Sequence, residues 1–126
     1  MENNIIDGRA IAASLFESLT TRVAQLPFKP ILCDVVVGED PVSLSYVNIK
    51  GKRAQECGME FSLIQLPENS TDEQVCDAIL TEQQKDELCG LIVQLPLPVH
   101  LKTERILGMI SEEVDVDVIN PNNETK

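Results

Sequence analysis

Val37-Gly38-Glu39-Asp40-Pro41-Val42-Ser43-Leu44-Ser45-Tyr46-Val47-Asn48-Ile49-Lys50-Gly51-Lys52-Arg53-Ala54-Gln55-Glu56-Cys57-Gly58 reads as the end of a strand, a turn and a complete helix. Asp40 is a good N-cap, and Pro41 suits the first helical position, where a missing N–H costs nothing and the fixed φ is already helical. Gly58 closes the helix in a left-handed cap. At about 100° per residue, Leu44, Val47, Gly51, Ala54 and Gly58 make one stripe of apolar or small side chains suited to lying on a sheet. Ser43, Tyr46 and Lys50 fall on a neighbouring sector, at the edge of the helix beside the end of a buried strand, where α/β folds tend to hold ligands. A lysine partly withdrawn from water there is equipped to move protons. The same pattern also fits an ordinary surface lysine beside a half-buried tyrosine.

Upstream, Pro30-Ile31-Leu32-Cys33-Asp34-Val35-Val36-Val37-Gly38 is a nearly continuous apolar run rich in β-branched residues, as in a strand covered on both faces. Before it, Asp7 caps a helix through Ala10, Ile11, Leu15, Leu19 and Val23, whose stripe reads as a packing face. Downstream, Met59–Leu66 reads as a second strand ended by Pro67. Ser70-Thr71-Asp72-Glu73 reads as a capping box opening a helix through Val75, Ala78, Ile79 and Leu80. Cys89–Leu95 reads as a third buried strand broken by Pro96-Leu97-Pro98, and a short helix is expected over Thr103–Ile110. Strands alternating with helices imply crossover connections and a mostly parallel sheet, hence a three-layer α/β/α domain.

The chain of 126 residues is the size of one domain. Its 21 acidic and 10 basic residues give a net charge of −11, which repels phosphate backbones and anionic membranes, so nucleic acid and membrane are excluded as partners. Cys33, Cys57, Cys76 and Cys89 show no CxxC spacing and read as buried small hydrophobes of a reducing compartment, and the sole histidine, His100, has no ligand neighbours in sequence, so no metal is expected. No basic region precedes an apolar run at the N-terminus and no apolar stretch approaches ~18 residues, so the expectation is a soluble, cytoplasmic protein.

In a parallel sheet the C-terminal strand ends share one edge, so Gly38-Glu39-Asp40 and Gln94-Leu95-Pro96-Leu97-Pro98 are expected close together. Gln94 can then hydrogen-bond a ligand or Lys50, or be satisfied by backbone or water. Asp115 and Asp117, alternating with valines, can cap the following turn, or one can accept paired N–H groups of a heterocycle.

VGEDPVSLSYVNIKGKRAQECGM, LIVQLPLP and DVDVINP, in that order, resemble the bifunctional methylenetetrahydrofolate dehydrogenase/methenyltetrahydrofolate cyclohydrolase family. The resemblance covers nearly the whole chain but only the N-terminal half of the family's enzyme. It implies a catalytic, folate-binding α/β domain over residues 1–118 and, over residues 119–126, the start of a junction to a Rossmann domain outside this chain. It further implies a tetrahydrofolate derivative as substrate, NADP or NAD bound only through that second domain, and no metal. Lys50 becomes the general acid/base of the cyclohydrolase step and Gln94 its hydrogen-bond partner. Tyr46 stacks on the aminobenzoyl ring, Asp117 anchors the pterin's amino-pyrimidine edge, and Ser43 supports the group. The complete enzyme is expected to be a homodimer and this chain alone a monomer.

The chain departs from the family at Val118, where the family usually has glycine. If that glycine serves a positive φ, the valine is strained or the backbone takes another path, and the placement of Asp117 depends on which. Two other readings share the residues: a folate-binding module without turnover, and an α/β domain acting only in protein association. Retention of the lysine and its glutamine partner favours the enzyme.

Overall fold

The computed structural model describes residues 7–123; Glu124, Thr125 and Lys126 of the expected junction lie outside the described residues. The elements run α1 (Gly8–Ala24), β1 (Ile31–Val37), α2 (Pro41–Glu56), β2 (Glu60–Leu66), α3 (Asp72–Glu82), β3 (Leu88–Val93) and α4 (Thr103–Leu107), followed by 3-10 turns at Glu112–Val114 and Pro121–Asn123. The three strands form one parallel sheet in the order β2-β1-β3. The apolar run 31–37 is therefore the central strand, flanked on both sides, and it is buried along its length except for half-buried Leu32.

Side chains alternate along β1, and the two faces they create differ. Ile31, Cys33, Val35 and Val37 join Val75, Cys76 and Ile79 of α3, Leu88, Leu91 and Val93 of β3, and Ile106 and Leu107 of α4 in one apolar core. On the opposite face lies α2, whose Gly51 comes so near the sheet that an added Cβ would stand 2.6 Å from the Phe61 ring. With α2 on one face and α3 with α4 on the other, the domain has the expected three layers.

Between Ile31 and Leu32 the pairing to β3 slips by one residue, from Leu88 to Gly90, which makes a β-bulge at Cys89. This explains why Cys89 is exposed whereas Cys33, Cys57 and Cys76 are buried as expected. Burial, with the charge of Glu82 adding to it, pushes the Cys33 thiol up to about 12, so it acts as a small core hydrophobe.

Several local expectations shift. The α1 cap forms, with the Asp7 carboxylate accepting from Ala10 N, but no residue of α1 is buried, and Ile11, Leu15 and Leu19 are exposed. The sheet faces are taken by the other helices. Helix α1 meets instead the outer side of α2, where the Arg53 guanidinium lies 5.4 Å from the Phe16 ring centroid. The capping box of α3 sits one residue later than expected, on Thr71 and Gln74, because Ser70 Oγ donates to Pro67 O at 2.6 Å. Both Ser70/Glu73 and Thr71/Gln74 satisfy the spacing, and the turn at Pro67 decides between them. Strand β3 and helix α4 end two and three residues short of their expected ends, at Val93 and Leu107.

Candidate active site

The chain order places β2 on one side of β1 and β3 on the other, so the connection direction reverses at β1. At such a reversal the loops leaving neighbouring strands part and leave a crevice at the C-terminal edge of the sheet. The crevice here is lined by Val37 at the end of β1, by Gly38, Glu39 and Asp40 after it, by Glu68 after β2, and by Pro96, Leu97, Pro98, Val99 and His100 after β3. Gly38 turns the chain out of the strand at φ +99°, and the Asp40 carboxylate then caps α2 by accepting from Ser43 N at 3.0 Å.

Helix α2 carries Lys50 back over the sheet. Its Nζ donates to Gln94 Oε1 at 2.8 Å and to Asp34 Oδ2 at 3.2 Å, so one amine joins three elements: α2, the residue after β3, and the middle of β1. Gln94 is held by its own backbone, whose N–H donates to Val35 O at 2.9 Å and extends the sheet one residue past the strand. The Lys50 side chain remains 34 % exposed, so the amine stays reachable from solvent. Tyr46, one turn earlier, is 59 % exposed and presents a free aromatic face.

Ser43 does not join this group. It lies on the buried stripe of α2 with Val47, Gly51 and Ala54, and its hydroxyl donates to Asp40 Oδ2 at 2.9 Å, reinforcing the cap. Leu44, expected in the stripe, is half-buried one step round the helix. The two tail aspartates differ in their surroundings. Asp115 is buried and caps the following turn, accepting from Ile119 N at 2.9 Å, Asn120 N at 3.0 Å and Asn123 Nδ2 at 2.8 Å. Asp117 is exposed, and its charge adds to what raises the Asp34 carboxyl. Val118 does adopt a positive φ, +51°, the left-handed conformation that a β-branched residue resists.

Asp34 is the residue that the sequence reading passed over, as one charge inside an apolar strand. It is fully buried, and its Oδ1 has no hydrogen-bond partner. Burial holds its carboxyl above the ordinary 3.8, with the Lys50 charge and hydrogen bond pulling it back and Asp117 pushing it further up. A lone acid in such a run was the available signal, since carboxylates are almost never fully buried unless paired.

Among the described residues no group of three or more His, Cys, Asp and Glu could hold a metal ion, and no helix is long and apolar enough to cross a membrane. The glycines stand too far apart for a Gly-rich dinucleotide turn, and Gly38 leads into a helix whose first N–H groups are taken by Asp40. Among the described residues there is thus no Gly-rich dinucleotide turn.

Comparison with known proteins finds relatives of this chain. The family model for the tetrahydrofolate dehydrogenase/cyclohydrolase catalytic domain matches residues 6–117. Bifunctional protein FolD of Listeria innocua is 39% identical over 122 residues, covering 94% of this chain and 43% of that protein. The crystal structure of the bifunctional FolD enzyme from Campylobacter jejuni superposes with a TM-score of 0.87 at 34% identity, covering 93% of this chain and 43% of that one. The Trypanosoma brucei enzyme, complexed with NADP cofactor and inhibitor, gives a TM-score of 0.82 at 32% identity, covering 90% of this chain and 40% of that one. The chain thus spans less than half the length of the relatives that it matches.

Proposed function

The chain belongs to the tetrahydrofolate dehydrogenase/cyclohydrolase catalytic-domain family, and we propose that it supplies the folate-binding, proton-transferring half of an enzyme that interconverts 5,10-methylene-, 5,10-methenyl- and 10-formyltetrahydrofolate. The observation that carries this reading is the Lys50 amine, 2.8 Å from Gln94 Oε1, with an exposed Tyr46 one turn earlier on the same helix.

Hydrolysis of a methenyl bridge begins when water adds to the cationic carbon. A proton must then leave the added oxygen and another must reach the ring nitrogen as the carbon–nitrogen bond breaks. One amine within reach of both atoms serves both transfers, and general acid–base groups of this kind contribute about 10²–10⁴-fold. Gln94 fixes where the amine points. Tyr46 supplies a stacking face for the aminobenzoyl ring. The Asp117 carboxylate can take two parallel N–H bonds from the amino-pyrimidine edge. Ser43 supports the group at one remove, by holding the start of α2 through Asp40. Hydride transfer, NADP or NAD, and a homodimeric assembly are proposed only for a protein in which a dinucleotide-binding half closes the cleft.

A second reading, a folate-binding module without turnover, is favoured by one observation: Lys50 is already committed to two acceptors. Lys50→Met separates the two. Measured in a fusion to the second half of a relative, since this chain alone is expected to turn over little, methenyl hydrolysis should fall by about 100-fold or more, while affinity for a stable reduced-folate analogue changes less than threefold. Hydrolysis equal to that of the parent would overturn the assignment of Lys50.

A further inference from the structure

Asp34 stands where packing gives no reason for a carboxylate. Its neighbours on the α2 face of β1 are Leu32 and Val36, and its register partners across the sheet are Leu63 on β2 and Ile92 on β3. Every one of these is apolar, and an aliphatic side chain at position 34 would continue the run on both sides. The carboxylate is instead sealed from water with one oxygen unpartnered, a strongly unfavourable arrangement for an acid. Among the described residues its side-chain hydrogen bond is the one that Oδ2 accepts from Lys50 Nζ.

We propose that Asp34 is a positioning residue for Lys50: a carboxylate built into the floor of the site that holds the lysine over the sheet edge in its ammonium form, within reach of Gln94, and so sets the pH range in which the amine exchanges protons. The proposal deepens the functional reading and rests on Lys50 being the proton-transfer group. The geometry is that of a two-point seat. Asp34 and Gln94 each accept one N–H of the amine, and the side chain, 34 % exposed, leaves a third N–H for solvent or a ligand. Asp34 touches no solvent and so meets no substrate; whatever it does, it does through the lysine.

The groups facing Asp34 are few. Lys50 comes from α2 and Asp117 from the segment after the 3-10 turn at Glu112–Val114, while Gln94, at the end of β3, brings no charge; the adjacent Cys33 feels the Asp34 charge from the other face of the strand. With Lys50 the sole cation among these, loss of the Asp34 charge leaves the amine its hydrogen bond to Gln94. The charged form of the lysine then loses its nearest counter-charge.

The test is Asp34→Asn, which keeps shape and removes charge, read by following the Lys50 side-chain methylene resonance of the folded chain against pH. The midpoint should move down by about one pH unit or more, a tenfold change in proton affinity. The converse measurement needs no change at Asp34: in Lys50→Met the Asp34 carboxyl resonance should titrate at least about one unit higher than in the parent. An unmoved Lys50 midpoint in a folded Asp34→Asn variant would overturn the proposal. If that variant does not fold, an unmoved Asp34 midpoint in Lys50→Met would do the same. Neither readout involves folate, so shifted midpoints in a chain that binds no reduced folate would uphold the seat while removing the functional reading above it.

Discussion

The two faces of β1 are made from one heptapeptide, Ile31–Val37, yet they solve opposite problems. Toward α3 and α4 the strand shows Ile31, Cys33, Val35 and Val37, and the interface is closed and apolar. Toward α2 it shows Leu32, Asp34 and Val36, and the middle of that face carries an acid under a lysine. The difference teaches where this small domain can place chemistry. One face must supply most of the burial that holds the chain together, and the other then tolerates a charged pair, provided that the covering helix brings the cation.

The largest effect on stability is expected on the closed face. Ile79 is fully buried between α3 and the sheet, and Ile79→Ala should lower stability by about 2–5 kcal/mol through lost burial and a residual cavity. Urea denaturation measures this. The Lys50 and Asp34 titrations of the molecules that remain folded should not move. If they did move, the two faces would be coupled and the division of labour would fail.

Asp34→Val makes the α2 face resemble the other. Replacing the whole ion pair by aliphatic residues, Asp34→Val together with Lys50→Met, is expected to be neutral or stabilising by about 1–4 kcal/mol. The gain should depend on pH in a defined direction. Because the folded-state value of Asp34 is raised above 3.8, the folded chain keeps a proton that the unfolded chain has already lost. The parent's proton-linked stability is therefore fully present below 3.8 and is lost as pH rises through the raised value. The advantage of the double variant should grow across that window and then level off, as denaturation at a series of pH values would reveal. A variant less stable than the parent at neutral pH would make Asp34 a structural residue.

The smallest effect belongs to the segment that joins the two faces round the edge of β3, with Val114 in the closed core and Val116 against Gly90. Val118→Gly relieves a left-handed valine, worth about 1 kcal/mol or more, but gives the unfolded chain extra freedom that offsets part of it. A net gain of about 0.5 kcal/mol, or ~2 °C in Tm, is expected. A drop in Tm would mean that the valine side chain itself holds the turn that Asp115 caps.

Element order and the parallel sheet were legible because strand and helix periodicities alternate cleanly and because Asp40, Pro41 and Gly58 punctuate α2 with conformational requirements that few other residues meet. The approach of Gln94 to Lys50 was legible as well, since strand ends in a parallel sheet converge. Asp34 was not. Averaged over Ile31–Val37 one acid disappears, and only the side of the strand it occupies, and the helix lying there, gives it meaning. The α1 stripe was readable as apolar, but periodicity reports that a face exists and not what covers it. Ser43 lies one step round α2 from the expected sector, on the buried stripe, where its hydroxyl joins the Asp40 cap.

The bulge at Cys89 has a consequence for how β3 is used. In an unbroken strand Leu88 and Gln94, an even number of residues apart, would present their side chains to the same side. The extra residue reverses the parity between them, so Leu88 enters the closed core while Gln94 arrives on the opposite side, at the lysine. Cys89 thus works as a phase shifter: one exposed residue lets a strand begin as a wall of the core and end as a wall of the site.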